Sequence, residues 1–138
     1  MKTTTKNQKA MFRFKMTRLK NASRDYDGLY FPKAVHPITV TTKDLLKEIP
    51  KNCSLKRSDL LAALTELSEF LLRHLRQGEI VDIDGIGRFK LEVKGQGVLS
   101  PDDFDECTDI SGYVCHFTPY SRKGRKLMFE DIELVRER

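Results

Sequence analysis

A stripe of leucines at helical spacing between residues 57 and 77 is the strongest constraint on how this chain can fold. Its members recur every three or four positions and are Leu60, Leu61, Leu64, Leu67, Leu71 and Leu75. That spacing predicts one long amphipathic helix, which we expect to end at Gly78. Phe70 and Leu72 widen the apolar surface beyond the stripe. A short helix and a small sheet would not cover so much apolar surface, so the sequence predicts burial against a second copy of the chain.

The segments on either side of this helix predict a second helix and a small sheet. Thr41 stands directly before a segment in which apolar residues recur every three or four positions, and a threonine in that place is typical of a helix N-cap. The segment predicts a short helix that ends near Pro50. After the long helix, alternating apolar and polar residues predict a β-hairpin followed by a third strand. These strands are Ile80–Asp84, Arg88–Val93 and Tyr113–Phe117, with the hairpin turn at Gly85-Ile86-Gly87.

The two ends of the chain predict further elements. Residues 1–10 are polar and lysine-rich, and we expect a disordered basic tail. Residues 11–20 and 29–35 are predicted to form an N-terminal β-hairpin, and residues 129–135 a final strand that pairs with the first. Ser121–Met128 is predicted to form a short basic C-terminal helix. The chain therefore divides into the tail, residues 1–10, an N-terminal β extension, residues 11–40, and an α+β domain, residues 41–138.

The charge of the chain is +5 and its sequence pI is about 9.2, which makes polyanions the first class of partner to consider. Residues 1–40 carry nine Lys and Arg against two acidic residues, and the last twenty carry six basic against four acidic. Residues 94–118 instead have Lys94 alone against five acidic residues. A polyanion must therefore meet the ends of the chain rather than residues 94–118.

The residue types used in catalysis and metal binding do not occur in useful patterns. Cys53, Cys107 and Cys115 include no CxxC pair, which argues against a disulfide framework and a zinc site and favours a reducing, cytoplasmic location. Asp82 and Asp84 share a strand face but have no histidine or nucleophile nearby in the sequence. We expect no metal, no cofactor, no small-molecule substrate, no membrane segment and no enzymatic activity.

Four short motifs, in the order of the predicted elements, point to a known family. They are Asp44–Ile49, Leu55–Asp59, Gly78–Phe89 and Phe117-Thr118-Pro119. In this order they resemble the HU and integration host factor family of bacterial histone-like proteins. Gly85–Phe89 is similar to that family's GxGxF turn, and it stands between two predicted strands, the context in which the motif is informative. Residues 12–40 also resemble the extension on HU-related proteins common in Bacteroidetes.

The resemblance implies an HU-like α+β fold, an intertwined homodimer, and binding of double-stranded DNA in the cytoplasmic nucleoid. The residues expected in the dimer core are Leu60, Leu64, Leu67, Phe70, Leu71, Phe89 and Phe117. One segment departs from the family pattern. Family members that bend DNA carry a long basic arm whose Arg-Asn-Pro tip wedges between base pairs. The equivalent segment, Gln96–Ser111, is short and acidic and is repelled by phosphates, so we interpret Pro101 as a loop proline rather than a wedge.

Lysine and arginine side chains are the expected contacts to DNA phosphates. The first-choice residues are Arg122, Lys123, Arg125 and Lys126, for which a solvated helix end is the alternative interpretation. The second-choice residues are Arg88, Arg73 and Arg76. The N-terminal strand adds one predicted basic face with Arg13, Lys15, Arg18 and Lys20. Phe12 and Phe14, on the opposite face, are interpreted as core residues rather than as platforms for stacked bases.

Two functional hypotheses follow from this sequence. The first is a homodimeric, architectural, largely sequence-nonspecific DNA-binding protein that is held to DNA by its basic helix and N-terminal strand. The second is a dimeric protein-interaction scaffold of the same fold, in which the acidic residues 94–118 meet a basic partner.

Overall fold

The structure is a computed structural model that describes residues 9–20 and 28–138. The helices are α1, Thr42–Asn52, and α2, Arg57–Arg76. The strands are β1, Ala10–Arg18, β2, Tyr30–Ala34, β3, Val81–Ile83, β4, Gly87–Gly95, β5, Ile110–Pro119, β6, Ser121–Arg122, β7, Arg125–Lys126, and β8, Ile132–Arg136. Short 3₁₀ helices span Pro101–Asp103 and Leu127–Phe129. The predicted basic tail, residues 1–10, lies almost entirely outside the described residues.

The chain forms two compact units. The helical unit is Lys43–Met128, and the terminal unit combines the chain up to Thr42 with Phe129–Arg138. The sequence had assigned residues 129–138 to the main domain. Because β8 pairs with β1, the structure groups these last residues with the N-terminal extension instead.

Both predicted helices are present. α2 follows the predicted limits, and the backbone N–H of Gly78 donates to the carbonyl of Leu75 just beyond its end. The predicted end of α1 was wrong, because the helix continues two residues past Pro50 to Asn52. A proline this close to a helix end removes few backbone hydrogen bonds, so the last turn can form around it.

The sheet of the helical unit has the strand order β3-β4-β5, and both pairings are antiparallel. This confirms the predicted hairpin and third strand, although β5 extends beyond the predicted Tyr113–Phe117 at both ends. Phe89 and Phe117 are opposite each other in the register, with ring centroids 4.9 Å apart. Helix α2 contacts β3 and β4, so the long helix lies against this sheet.

The two glycines of the β3–β4 turn have separate roles. Gly85 has φ +82, a backbone conformation that other residues adopt only with strain. Gly87 has φ +148 and is also limited by space, because a Cβ atom there would lie 2.3 Å from the carbonyl oxygen of Thr118 and 2.7 Å from the ring of Phe117. The GxGxF motif therefore fixes where the end of β5 crosses the turn.

The single chain leaves most of its apolar surface open. Of the described residues, only Leu46, Leu60 and Val81 are buried hydrophobic side chains. Leu60 is thus buried already within one chain, while the other predicted dimer-core residues are half-buried or exposed, with Phe70 41% and Phe117 43% exposed. Four leucines of the stripe line an open groove along α2 together with Ser68 and Leu72; they are Leu64, Leu67, Leu71 and Leu75.

The sheet of the terminal unit has the order β2-β1-β8. β1 is antiparallel to β2 and parallel to β8. Both the N-terminal hairpin and the final strand were predicted, and the structure confirms them. The turn expected between β1 and β2 falls mostly in residues 21–27, outside the described residues.

The predicted basic C-terminal helix was wrong. Ser121–Lys126 forms a two-stranded hairpin from β6 and β7, in which Ser121 is paired with Lys126 and Arg122 with Arg125. The two turn residues, Lys123 and Gly124, have φ of 52° and 77°. A two-residue turn with positive φ at both central positions matches the twist of paired strands, and glycine at the second position favours it while disfavouring helix.

Candidate nucleic-acid interface

The β6–β7 turn concentrates the positive charge of the helical unit. We call Ser121–Lys126 the basic hairpin; all six of its residues are exposed, and four of them are cationic. No acidic residue occurs from Pro119 to Phe129. Arg122 and Arg125 are directly opposite each other, and like charges in this position destabilise a hairpin. The basic hairpin therefore presents four exposed cationic side chains within six residues.

The basic hairpin is attached to the glycine turn of the sheet. The backbone N–H of Tyr120 donates to the carbonyl of Ile86 at 3.1 Å. This bond lies one residue before β6 begins, and Gly87 allows the close approach of Thr118 beside it. The glycine turn therefore positions a cationic hairpin here, where the sequence had predicted a helix.

The structure pairs one of the second-choice cations, Arg88, with an acidic neighbour. Arg88 contacts Asp82 across the β3–β4 hairpin at 3.1 Å, and both side chains are exposed. On the same face Lys90 contacts Glu92 at 3.3 Å. Exposed ion pairs of this kind contribute little to stability, but they neutralise the local charge. This face of the sheet therefore attracts phosphate less strongly than the basic hairpin does.

The cations at the end of α2 have a local structural role. The guanidinium of Arg73 lies over the ring of Phe70 at 6.0 Å from the centroid. Arg76 is exposed in the last turn, and His74 contacts Glu79 at 2.6 Å. Positive side chains at a helix C-terminus are favourable against its dipole, which accounts for these residues without a ligand.

The four cations that were predicted to form one basic face of the N-terminal strand do not all lie on the same face. Arg13 and Lys15 share one face, where Arg13 contacts Glu137 at 3.7 Å. Arg18 is paired with Tyr30 and lies on the other face, together with Phe14 and Met16. Side chains alternate along a strand, so positions 13 and 18 cannot point the same way. Lys20 is exposed beyond the end of β1.

The connection between β4 and β5 is a compact acidic loop, residues 96–109. Its ends are joined by a hydrogen bond from the N–H of Gln96 to the carbonyl of Asp109 at 2.9 Å. The carboxylates of Asp105 and Asp109 accept backbone N–H bonds within the loop, at 2.9 Å each. Pro101 begins the 3₁₀ turn, flanked by Asp102. No lysine or arginine occurs from residue 95 to residue 121, so this loop repels a phosphate backbone.

In residues 9–20 and 28–138, no group of three or more His, Cys, Asp or Glu could hold a metal ion, and the three cysteines are exposed and form no disulfide. None of the helices there has the length and apolar character needed to cross a membrane.

The chain is thus an α+β protein with an exposed cationic hairpin, and comparison with known proteins assigns its family. A family model described as an HU domain fused to a winged helix-turn-helix, an immunoglobulin-like or a glycine-rich motif matches residues 10–132. The chain belongs to this family.

Two relatives agree with that assignment. The alpha subunit of integration host factor from Rhizorhabdus wittichii is 37% identical over 60 residues, which are 44% of this chain and 60% of that protein. A protein of Bacteroides vulgatus ATCC 8482, provisionally described as a bacterial DNA-binding protein, has a crystal structure that matches with a TM-score of 0.62 at 16% identity. That match covers 94% of this chain and 50% of the other, and at this identity it shows a shared fold. The chain thus spans less than two thirds of each relative.

Proposed function

We propose that this protein is an architectural DNA-binding protein of the nucleoid that holds double-stranded DNA through the basic hairpin. The observation that carries the proposal is the hairpin itself, with four exposed cations in six residues and no Asp or Glu in residues 119–129 of the sequence. Membership of the HU-domain family and the DNA-binding description of the structural relative support the same partner.

We propose that the acting species is a homodimer, intertwined along α2. The open groove lined by Leu64, Leu67 and Leu71 supports this, because a chain that leaves its leucine stripe uncovered gains stability by burying it. A second copy of the same stripe is the simplest cover, since a two-fold interface uses the same surface twice. Dimerisation would give the DNA two basic hairpins.

Binding through phosphates is expected to be largely independent of sequence. Lysine and arginine on phosphate oxygens release counterions, and they carry no information about the bases. The compact acidic loop replaces the arm with which DNA-bending HU relatives wedge into the minor groove. We therefore propose contact through the duplex backbone, without an intercalating wedge from this loop.

Duplex affinity measured over a series of salt concentrations tests this function. With two hairpins of four cations engaged, affinity should fall about ten-thousandfold between roughly 50 and 200 mM salt. Replacing the four hairpin cations by glutamate should remove binding to every duplex sequence alike. The matched control reverses four exposed lysines of the same unit that lie outside the proposed site: Lys43, Lys47, Lys51 and Lys56. Equal losses in both quadruple variants, or no binding by the unmodified protein at low salt, would refute the proposal.

One observation favours the second hypothesis, a protein-interaction scaffold. The acidic loop carries five acidic residues, and the side chain of Leu99 beside them is fully exposed at 105%. A loop that combines apolar and acidic groups suits a basic protein partner. Native mass measurement of the purified protein before and after nuclease treatment separates the two hypotheses. Nucleic acid that co-purifies supports the first, and a bound protein that survives nuclease supports the second.

A further inference from the structure

One face of the terminal-unit sheet combines aromatic rings with arginine. The strand registers pair Phe12 with Leu134, Phe14 with Arg136, and Arg18 with Tyr30. Because alternate residues of β1 point the same way, these six side chains share a face, which we call the aromatic face. The only acidic residue in the three strands, Glu133, is paired with Met11 on the opposite face.

Two of the three rings of the aromatic face, Tyr30 and Phe12, are exposed to solvent, and Phe14 is half-buried. Tyr30 is 61% exposed and Phe12 is 41% exposed, so the interpretation of Phe12 as a core residue accounts for only part of its surface. Arg18 lies directly across from Tyr30. Exposed rings on a sheet beside guanidinium groups are the arrangement on which unpaired bases stack while their phosphates are neutralised.

A groove adjoins this face because β8 ends before its neighbour β1 does. β8 ends at Arg136, beside Phe14, whereas β1 continues to Arg18. The space beside the unpaired part of β1 has a volume of about 850 Å³ and is lined by Lys15, Met16, Tyr30, Arg136, Glu137 and Arg138. That volume lies within the roughly 300–1,000 Å³ typical of small-ligand sites.

The charges of the groove favour an anion. It has three cations and one carboxylate, and that carboxylate, on Glu137, already contacts Arg13. A ligand that suits the groove carries negative charge next to a flat ring, since Tyr30 lines it. A nucleotide meets both conditions.

We propose that the aromatic face and its groove bind unpaired nucleotides of single-stranded nucleic acid, with bases stacked on Tyr30 and Phe12 and phosphates at Arg18 and Arg136. This site is separate from the basic hairpin and adds a second class of nucleic acid to the proposed duplex. The bases of a duplex are stacked on each other and cannot reach the rings. Only a strand with free bases uses this surface.

Binding of a fluorescent oligo-dT of about 12 nucleotides, within the usual site size of such surfaces, tests the proposal. Tyr30→Ala and Arg136→Glu should each weaken binding about tenfold, the effect expected for one stacked base or one strong phosphate contact. Tyr30→Phe should keep nearly full affinity because it retains the ring. The controls change exposed residues of the same sheet on its opposite face, Met11→Ala and Lys33→Glu, and should leave oligo-dT affinity unchanged.

Tyrosine emission gives a direct readout of stacking. The chain has four tyrosines and no tryptophan, so its tyrosine fluorescence is not masked. Oligo-dT should quench part of this emission, and that part should be absent from Tyr30→Phe although the variant still binds.

Three results would overturn the proposal. One is unchanged oligo-dT affinity in Tyr30→Ala and Arg136→Glu, and another is an equal loss in the opposite-face controls. The third is a lower native mass of Tyr30→Ala with unaltered oligo-dT binding, which would assign the aromatic face to a second copy of the chain. The tenfold effect of Tyr30→Ala should persist when the basic hairpin carries four glutamates. A failure of duplex binding is therefore distinguishable from a failure of this site.

Discussion

At the scale of single residues, Gly87 shows how a short motif can be explained by contacts. A hydrogen is the only side chain that leaves room for the carbonyl of Thr118 and the ring of Phe117. The same crossing leads into Tyr120, whose N–H anchors the start of the basic hairpin. The motif could be found in the sequence, but its contacts with β5 could not, since they depend on how residues about thirty positions apart are paired.

Gly87→Ala should lower the free energy of unfolding by about 2 kcal/mol, because the added methyl group overlaps backbone and ring atoms that must move. Thermal or chemical denaturation measures the change. The matched control is Gly112→Ala in β5, where a Cβ atom has no neighbour within 4 Å. A loss at Gly87 no greater than the loss at Gly112 would contradict the close approach.

At the scale of elements, the basic hairpin shows where sequence periodicity stops being informative. Helix α2 and the β3–β4 hairpin are long enough for their apolar spacing to predict them. Ser121–Lys126 has only six residues, all exposed, and therefore no apolar pattern to follow. Its conformation depends on positive φ at Lys123 and Gly124, and of these only the glycine is a recognisable signal.

Gly124→Ala distinguishes a hairpin from a helix by the sign of its effect. In a hairpin, alanine at φ 77° is strained by about 1 kcal/mol or more, so duplex affinity should fall several-fold although no charge changes. In a helix the same change would stabilise the segment by about 1 kcal/mol and strengthen binding. Duplex titrations at fixed salt measure the difference, with Gly97→Ala in the acidic loop as control. Tighter binding by Gly124→Ala would mean that the segment acts as a helix.

The arrangement of the cations at the candidate interface could be predicted only in part, because periodicity along the sequence does not show which residues meet across strands. A run of Lys and Arg without acidic residues is visible directly in the sequence, so the basic segment at residues 122–126 could be recognised, although its hairpin conformation could not. The sequence could not show that Arg88 meets Asp82, since that contact depends on cross-strand register. It also placed Arg18 on the wrong face, although strand alternation alone separates positions 13 and 18.

At the scale of the whole molecule, the leucine stripe is the feature on which the proposed dimer depends. The leucine stripe predicted burial against a second copy of the chain, and in the structure the groove that it lines along α2 is open to solvent. A chain with three buried hydrophobic side chains among its described residues has a small core of its own. Much of its stability is therefore expected to come from association, which makes it depend on protein concentration.

Leu67→Asp should abolish the dimer, because a carboxylate in the α2 groove would be buried without a partner. Sedimentation equilibrium should give half the native mass, and the unfolding midpoint should drop and lose its dependence on concentration. Leu99→Asp is the matched control, since it makes the same change on the fully exposed tip of the acidic loop. If Leu67→Asp stays folded by circular dichroism at full native mass, α2 is not the dimer interface.

The parallel pairing of β1 with β8 has a consequence for the order in which the molecule can fold. Ala10 is aligned with Ile132, so the first strand meets a partner from almost the opposite end of the chain. During synthesis on a ribosome, residues 43–128 emerge before β8 and can fold while β1 and β2 still lack this third strand. Contacts between residues so far apart along the chain form slowly. The terminal unit is thus expected to be the last part of a new chain to close and the first to open when the final few residues are removed.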